Sequence, residues 1–324
     1  MSVVAVDDRS SDGTGTVLER LARDDPRFTV VRVTELPPGW LGKTNALQSA
    51  AQVVSSDWIL FTDADVVFAP GALRRALARA LEDGTDFLAV APGVVTVSAG
   101  ERLFVTMFGL LFALNSPPWR VSDRRRRAAG GVGAFNLVRT EAFRAIGGFA
   151  HIALSVDDDV RLAQALKFAG YRTTVAVGQR AVSVRWQVGL GGMIRGLEKN
   201  FFAAMDYRLG LVLPALAWLA VIGVMPYVGL FVGTWWTRGV CAAGVASVVA
   251  MLRAMRGENG FRWYYGLVLP LGALAVATAL VRSVWLTLWR GGVSWRGHIY
   301  PLGELREHVR QRNAWLRELW LSTR

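Results

Sequence analysis

One cysteine, Cys241, stands in the whole chain, inside an apolar run. A single thiol closes no internal disulfide, so nothing here calls for an oxidising compartment, and a buried small hydrophobe is the reading that fits it. Histidine is nearly as scarce: there are three, none at helical spacing from a second ligand, which argues against a zinc site. No Gly-x-Ser-x-Gly turn marks a nucleophilic serine. Gly-x-Gly-x-x-Gly is also missing after the first strand, where the chain reads DDRSSDGTG, and this excludes a dehydrogenase-type dinucleotide turn. Acid is short beside base, with 25 Asp and Glu against 37 Lys and Arg and a formal net charge of +12. The chain shows no internal repeat and no low-complexity segment.

What is abundant is apolar surface: 52% of the 324 residues are hydrophobic. A nucleic-acid binder spends its surface on charge, so a basic chain this apolar points to an anionic membrane and away from nucleic acid. Residues 209–232 carry no charge and are long enough to span a bilayer, and so are residues 263–281. Residues 239–252 form a shorter apolar run, either re-entrant or a third span. Trp235, Trp236, Trp263, Tyr264, Tyr265, Trp285 and Trp289 fall near the ends of these runs, as interfacial aromatics do. Three spans would put the C-terminus on the far side of the membrane from residues 1–205. Two would bring it back but leave Arg238, Arg253, Arg256 and Arg262 outside, and the positive-inside count favours two.

Residues 1–205 alternate strand and helix signals. Strands are expected at 2–6, 28–33, 58–62, 87–91, 134–138 and 172–177, and helices at 14–23, 43–54, 71–82, 140–146 and 160–169. This alternation predicts an α/β fold, a mostly parallel sheet with helices on both faces, binding its ligand at the C-terminal strand ends. Residues 206–290 form the membrane region, and residues 291–324 a basic tail. In the tail, Leu305, Val309, Leu316 and Trp320 share a face, which predicts an amphipathic helix lying on the membrane. The run LFVTMFGLLFAL (103–114), followed by SPPW and RVSDRRRR, reads either as an interfacial helix beside a headgroup-binding patch or as a core helix beside a solvated arginine run.

Three acidic clusters fall where strands end. Asp7 and Asp8 follow the first. Asp63 and Asp65 follow WILF, and in an extended segment residues i and i+2 point the same way. Paired hard oxygens suit Mg²⁺ or Mn²⁺ with water and phosphate in the remaining positions. Asp157, Asp158 and Asp159 open a predicted helix. One would suffice as a cap, and an ionised carboxylate there could accept a proton from an attacking hydroxyl. In PPGWLGKTNAL, Lys43 starts a helix where phosphate oxygens can bind. The glycines of AAGGVGAF serve either a tight turn or a close backbone approach. Arg195 and Lys199, at i and i+4, share a helix face and could meet a diphosphate or lipid phosphate.

Taken in order, VDDRSSDGT, GWLGKTNAL, FTDADV, GAFNLVRTEAFRAIGGF, VDDDVRLAQALKFAGYR and VSWRGHIY resemble the family 2 glycosyltransferases of GT-A fold. The closing Trp-Arg-Gly-x-x-Tyr segment is similar to one in membrane-bound members such as ceramide glucosyltransferase-like and hopanoid- or carotenoid-associated enzymes. The resemblance implies that Asp8, with Asp7, meets the nucleoside and that Lys43 approaches the diphosphate. It implies that Asp65, helped by Asp63, holds Mg²⁺ or Mn²⁺. Asp159 would be the base, and Asp158 would stand where many members have Glu. The implied donor is a nucleotide-sugar, UDP ahead of GDP, and the implied acceptor is a lipid or lipid-linked hydroxyl. The implied location is the inner (cytoplasmic) membrane, multi-pass, with the catalytic domain facing the cytoplasm. The Gln-x-x-Arg-Trp of processive members is not matched, since Gln179 stands too far from Arg185 and Trp186; this favours transfer of a single sugar over polysaccharide synthesis. A nucleotide-sugar-binding protein without turnover is the other alternative. Members also carry a strand, a Pro-Ala-Arg-Asn-Glu-like loop and a helix before VDD. The expectation is a chain truncated or mis-started after them, with a sheet edge left open.

Overall fold

The computed structural model describes residues 1–178, 180–254 and 262–323. Gln179 and Arg256 lie outside the described residues. The chain opens with β1 (Val3–Asp8), α1 (Thr14–Asp24), β2 (Phe28–Val33), α2 (Gly42–Gln52), β3 (Trp58–Phe61) and β4 (Val66–Phe68). It continues through α3 (Ala72–Glu82), β5 (Phe87–Ala91), β6 (Gly93–Val94), α4 (Ala99–Asn115) and α5 (Pro118–Ser122). Next come β7 (Asn136–Arg139), α6 (Thr140–Ala145), α7 (Asp158–Phe168), β8 (Thr173–Val177) and β9 (Val182–Val184). The apolar part holds α8 (Gly189–Gly196), α9 (Phe201–Ala204), α10 (Val212–Gly223), α11 (Met225–Val228), α12 (Trp235–Ala254) and α13 (Leu269–Trp289). A hairpin, β10 (Gly292–Trp295) and β11 (His298–Pro301), leads into α14 (Leu302–Ser322).

The α/β expectation holds, but the sheets are mixed instead of mostly parallel. β1 and β2 pair in parallel as a sheet of their own. A four-stranded sheet runs β3-β7-β5-β8, antiparallel at β3/β7 and β5/β7 and parallel at β5/β8. A three-stranded sheet, β4-β9-β6, lies apart. Alternation of elements does not fix strand direction. β7 is reached through α4, α5 and a glycine-rich loop, and it inserts between β3 and β5 in the opposite sense. The α1 face formed by Val17 and Leu21 stays exposed, because the sheet it covers has two strands.

The main core packs the Phe61, Phe143 and Phe149 rings at centroid distances of 5.1 to 5.4 Å. Around them lie Val138, Leu162 and Leu166, with Leu316 and Trp320 of α14. The α14 face expected to lie on a membrane is therefore turned inward: Leu305, Val309, Leu316 and Trp320 are buried against protein. Part of the arginine run is likewise occupied within the protein. Arg124 donates to the Gly170 carbonyl at 2.7 Å, and Arg127 stands 5.6 Å over the Trp320 ring. Lys167 is buried, its ammonium donating to the carbonyls of Arg120, Val121 and Ala128.

The core-helix alternative for residues 103–114 is the one seen. Phe104, Val105, Met107 and Leu110 of α4 are buried in a cluster with Leu269, Ala273, Val276 and Ala279 of α13. A capping box at Ser98 and Glu101 starts α4, and Glu101 also accepts from the Gly189 amide at 2.6 Å. The uncharged stretch 209–232 does not form one rod. It breaks after Gly223, and Pro226 then opens the short α11. Among the described residues, two helices are long and apolar enough to cross a membrane: α12, with 6% of its apolar window buried, and α13, with 50% buried. The run expected to be re-entrant or a short third span is the middle of α12. α13 starts at Leu269, since Trp263–Gly266 is a 3₁₀ turn.

Candidate active site

The site forms where β1, β3 and two helix N-termini meet. Lys43 lies in the first turn of α2, and its ammonium stands 3.0 Å from Asp63 and 3.2 Å from Asp158. Burial by itself would lower the Lys43 pKa, but Asp158, Asp63 and Asp159 together hold it above the ordinary lysine value. Asp158, buried in the first turn of α7, moves the other way from a normal carboxylate: burial raises its pKa, opposed by Lys43 and reinforced by Asp159 and Asp63. Asp159 is half-buried. Its Oδ2 accepts from the Gly133 amide at 2.7 Å and its Oδ1 from the Val160 amide at 2.8 Å.

The glycine-rich loop serves close approach, and what it approaches are the protein's own carboxylates. A Cβ at Gly131 would overlap the Asp159 carbonyl, and one at Gly133 would lie 2.7 Å from Asp63 Oδ2. Backbone pairing locks the arrangement, for the Asp63 amide donates to the Gly133 carbonyl at 3.2 Å. Lys43, Asp63, Gly133, Asn136, Asp158 and Asp159 line a cleft of about 10 Å³ of free space, roughly what one water needs.

The remaining expected residues divide. Asp8 ends β1 beside the start of α2, where a Cβ at Gly42 would come 2.6 Å from its Oδ2; Arg9 pairs with it at 2.8 Å. Asp7 is buried one residue earlier and accepts from the Ser10 amide at 3.2 Å. Asp63 and Asp65 are not on one extended segment: β3 ends at Phe61, and Asp65 sits exposed in the turn before β4. Among the described residues no group of three His, Cys, Asp or Glu side chains converges as a metal site. Arg195 and Lys199 do not share a helix face either. α8 ends at Gly196, leaving Arg195 exposed on the helix and Lys199 in the turn beyond.

Lys199 nevertheless belongs to the site. Burial lowers its pKa and so does the charge of Lys43, while Asp158, Asp159 and Asp63 pull it up. Its ammonium lies 4.2 Å from the Trp295 ring centroid. Trp295 and Tyr300 sit on the β10–β11 hairpin, turned by Arg296 and Gly297 at φ 49° and 78°. Burial raises the Tyr300 pKa, and the Gly42 backbone, Arg9 and Asp8 act on its hydroxyl. The hairpin thus joins the N-terminal strand ends to the last 33 residues of the chain. Its tip residues were visible in the sequence only as a motif, with no spacing to place them against Asp8 and Lys199.

The model of Glycosyl transferase family 2 matches residues 1–147. The Succinoglycan biosynthesis protein ExoA of Rhizobium meliloti (strain 1021) is 29% identical over 297 residues, which cover 80% of this chain and 84% of that protein. Among solved structures, mannosyltransferase PcManGT from Pyrobaculum calidifontis, in complex with GDP-Man and Mn2+, is 19% identical at a TM-score of 0.48, covering 88% of this chain and 78% of that one. S. aureus TarS 1-349 is 14% identical at a TM-score of 0.40, covering 92% and 86%. Both structural likenesses are distant; the sequence matches, to the family model over residues 1–147 and to ExoA along most of the chain, support a family 2 glycosyltransferase.

Proposed function

We propose that the protein is a membrane-bound inverting glycosyltransferase. It moves one sugar from a nucleotide diphosphate sugar, UDP ahead of GDP, to a hydroxyl of a lipid or lipid-linked acceptor. The observation that carries this reading is the excess of carboxylate over cation at the strand ends: Asp63, Asp158 and Asp159 against Lys43 and Lys199. Of the two aspartates in the first turn of α7, Asp158 is buried on Lys43, whereas Asp159 keeps an accessible edge. Asp159 is therefore the base. It takes the acceptor O–H proton as the oxygen attacks the anomeric carbon, the bond to the diphosphate oxygen breaks and the nucleoside diphosphate leaves. Lys43 and Lys199 stabilise charge on that diphosphate. Asp8 and Asp7 bind the nucleoside side of the donor.

Asp63 and Asp65 would be the hard oxygen donors to Mg²⁺ or Mn²⁺ beyond the end of β3, with water and phosphate oxygens taking the remaining positions. When bound, the cation offsets charge on the leaving diphosphate. The 10 Å³ cleft is the floor of the site, and the donor lies above it, beside the hairpin.

The relative is named for succinoglycan biosynthesis, which supports an acceptor on the way to a polysaccharide. α12 and α13 anchor the chain in the inner membrane, with the catalytic domain facing the cytoplasm. α14 packs against α7, so the tail lies on the same side as the α/β domain, which requires an even number of full crossings. The test is calorimetric binding of UDP and of GDP to detergent-solubilised protein, with and without Mn²⁺, for the wild type and Asp65→Asn. Metal-dependent UDP binding that the substitution abolishes supports the donor site. Binding of neither nucleotide overturns it.

A further inference from the structure

A groove of about 620 Å³ lies away from the acidic site, between the 206–208 turn and α14. Arg208, Arg306, Arg310 and Arg317 line it, against Glu318 and Asp206. Asp206 is already neutralised inside the protein: Arg161 and Arg312 hold its carboxyl below the usual carboxylate value despite burial. Arg310 pairs with Glu307 and Glu318 offsets one further charge, which leaves the groove a reduced positive excess. Arg306, Arg310 and Arg317 share one stripe of α14, on the side left free once its apolar face is buried in the α/β core.

Two further observations converge on this place. Asp206 and Tyr207 are consecutive non-glycine residues at φ 53° and 55°, a backbone that costs about 1–3 kcal/mol at each position. The strained turn tucks Tyr207 inward, its ring and hydroxyl buried beside the cluster of Asp157, Arg161, Asp206 and Arg312. Directly after Arg208 come Leu209, Leu211 and Leu213, which are 51%, 45% and 76% exposed and lead into α10. A basic groove thus leads, along the chain, into an exposed apolar stretch.

We propose that this groove binds the headgroup of an anionic phospholipid. The arginines would meet the phosphate, and the acyl chains would run along the exposed leucines. The basic face of α14, not its apolar face, would then be the one that meets the membrane. The proposal rests on the membrane placement given above. Alkaline extraction tests that placement separately: a chain released from membranes by carbonate fails there, whereas a chain that stays but shows no headgroup preference fails here.

The experiment uses the purified full chain in detergent. Short-chain phosphatidylglycerol, short-chain phosphatidylcholine and inorganic phosphate are titrated separately, with bound lipid counted by native mass spectrometry. Phosphatidylglycerol should bind at least about tenfold more tightly than phosphatidylcholine, and inorganic phosphate should not displace it. Arg208→Gln combined with Arg317→Gln should remove most of that preference. Should the double variant not fold, Arg317→Gln alone, at an exposed helix position, should reduce the preference measurably. Equal binding of the two lipids, displacement by phosphate, or an unchanged preference in the variants would each overturn the proposal.

Discussion

The N-terminus of α7 carries two polar clusters, and they are built on opposite terms. On one side Asp158 and Asp159 join Asp63 around Lys43, with Lys199 beyond, and the site opens to solvent. On the other side Asp157 pairs with Arg161 at 2.9 Å, and Arg161 reaches Asp206 at 3.0 Å. Arg312, 2% exposed, pairs with the same Asp206 at 2.5 Å and donates to Ser155 at 3.2 Å. Two carboxylates face two guanidiniums there, so the charges balance, and Asn313 takes up the second oxygen of Asp206 at 3.0 Å. The balanced cluster fixes α14 to α7. The unbalanced one has charge left over for a ligand. Two clusters of similar residues, a turn of helix apart, thus divide into scaffold and site by their charge count and by solvent access.

That division makes the effects of substitution separable. The largest effect is expected at Asp159. Asp159→Asn should lower sugar transfer by about 10²–10⁴-fold, the range of a lost general base, while leaving nucleotide binding within a small factor of the wild type. Turnover and calorimetry on the same preparation check this, and retained turnover would break the assignment of the base. Next in size is Arg312→Met on the balanced side. Removing one partner of a buried pair costs about 3–5 kcal/mol, so unfolding should shift strongly while nucleotide affinity of the folded protein stays put. Lys43→Met should do the reverse. It strips the cation from Asp158, and since the lysine is partly exposed the stability cost should be at the lower end, about 2–3 kcal/mol, but nucleotide binding should fall as well. Adding Asp158→Asn to Lys43→Met should restore part of the stability and none of the binding. A thermal melt alongside each titration distinguishes the two sides.

How far this arrangement could be read beforehand depends on the range of the signal. Element positions follow from local pattern: the apolar spacing of Val17, Leu18 and Leu21 and the run Trp58–Phe61 each gave an element within a residue or two of where it lies. Strand direction did not follow, because the insertion of β7 is settled by packing of Leu137 and Val138 between neighbours far away in sequence. In the same way Lys43, Asp63, Asp158 and Asp159 were named from their positions at element ends, and the fold brings them together. The reading of Asp63 and Asp65 as neighbours on a strand assumed that β3 continued past Thr62, but Thr62 instead bonds the Ala134 carbonyl and the chain turns. α14 shows the limit most plainly. An amphipathic face announces that it will be buried, and nothing in its periodicity says whether lipid or protein will cover it.

A smaller effect tests the scaffold side without touching either pairing. His308 faces Ser155, 3.4 Å away, on the α14 surface that holds the balanced cluster. Burial pushes its pKa down from 6.5 to about 4, and the charges of Arg312 and His151 add to the shift. Between those values the unfolded chain binds the extra proton and the folded chain does not. Stability therefore rises with pH across that window and is lost as pH falls from 6.5 towards 4. The shift corresponds to at most about 3 kcal/mol, less wherever water reaches the ring. Thermal melts from pH 4 to 7 should show this slope in the wild type and a shallower one in His308→Gln, with the raised carboxyl of Asp158 contributing a slope of opposite sign in both. An unchanged slope in His308→Gln would remove His308 as its source, and Asp158 could not replace it, because a carboxyl raised in the folded state loses stability as pH rises.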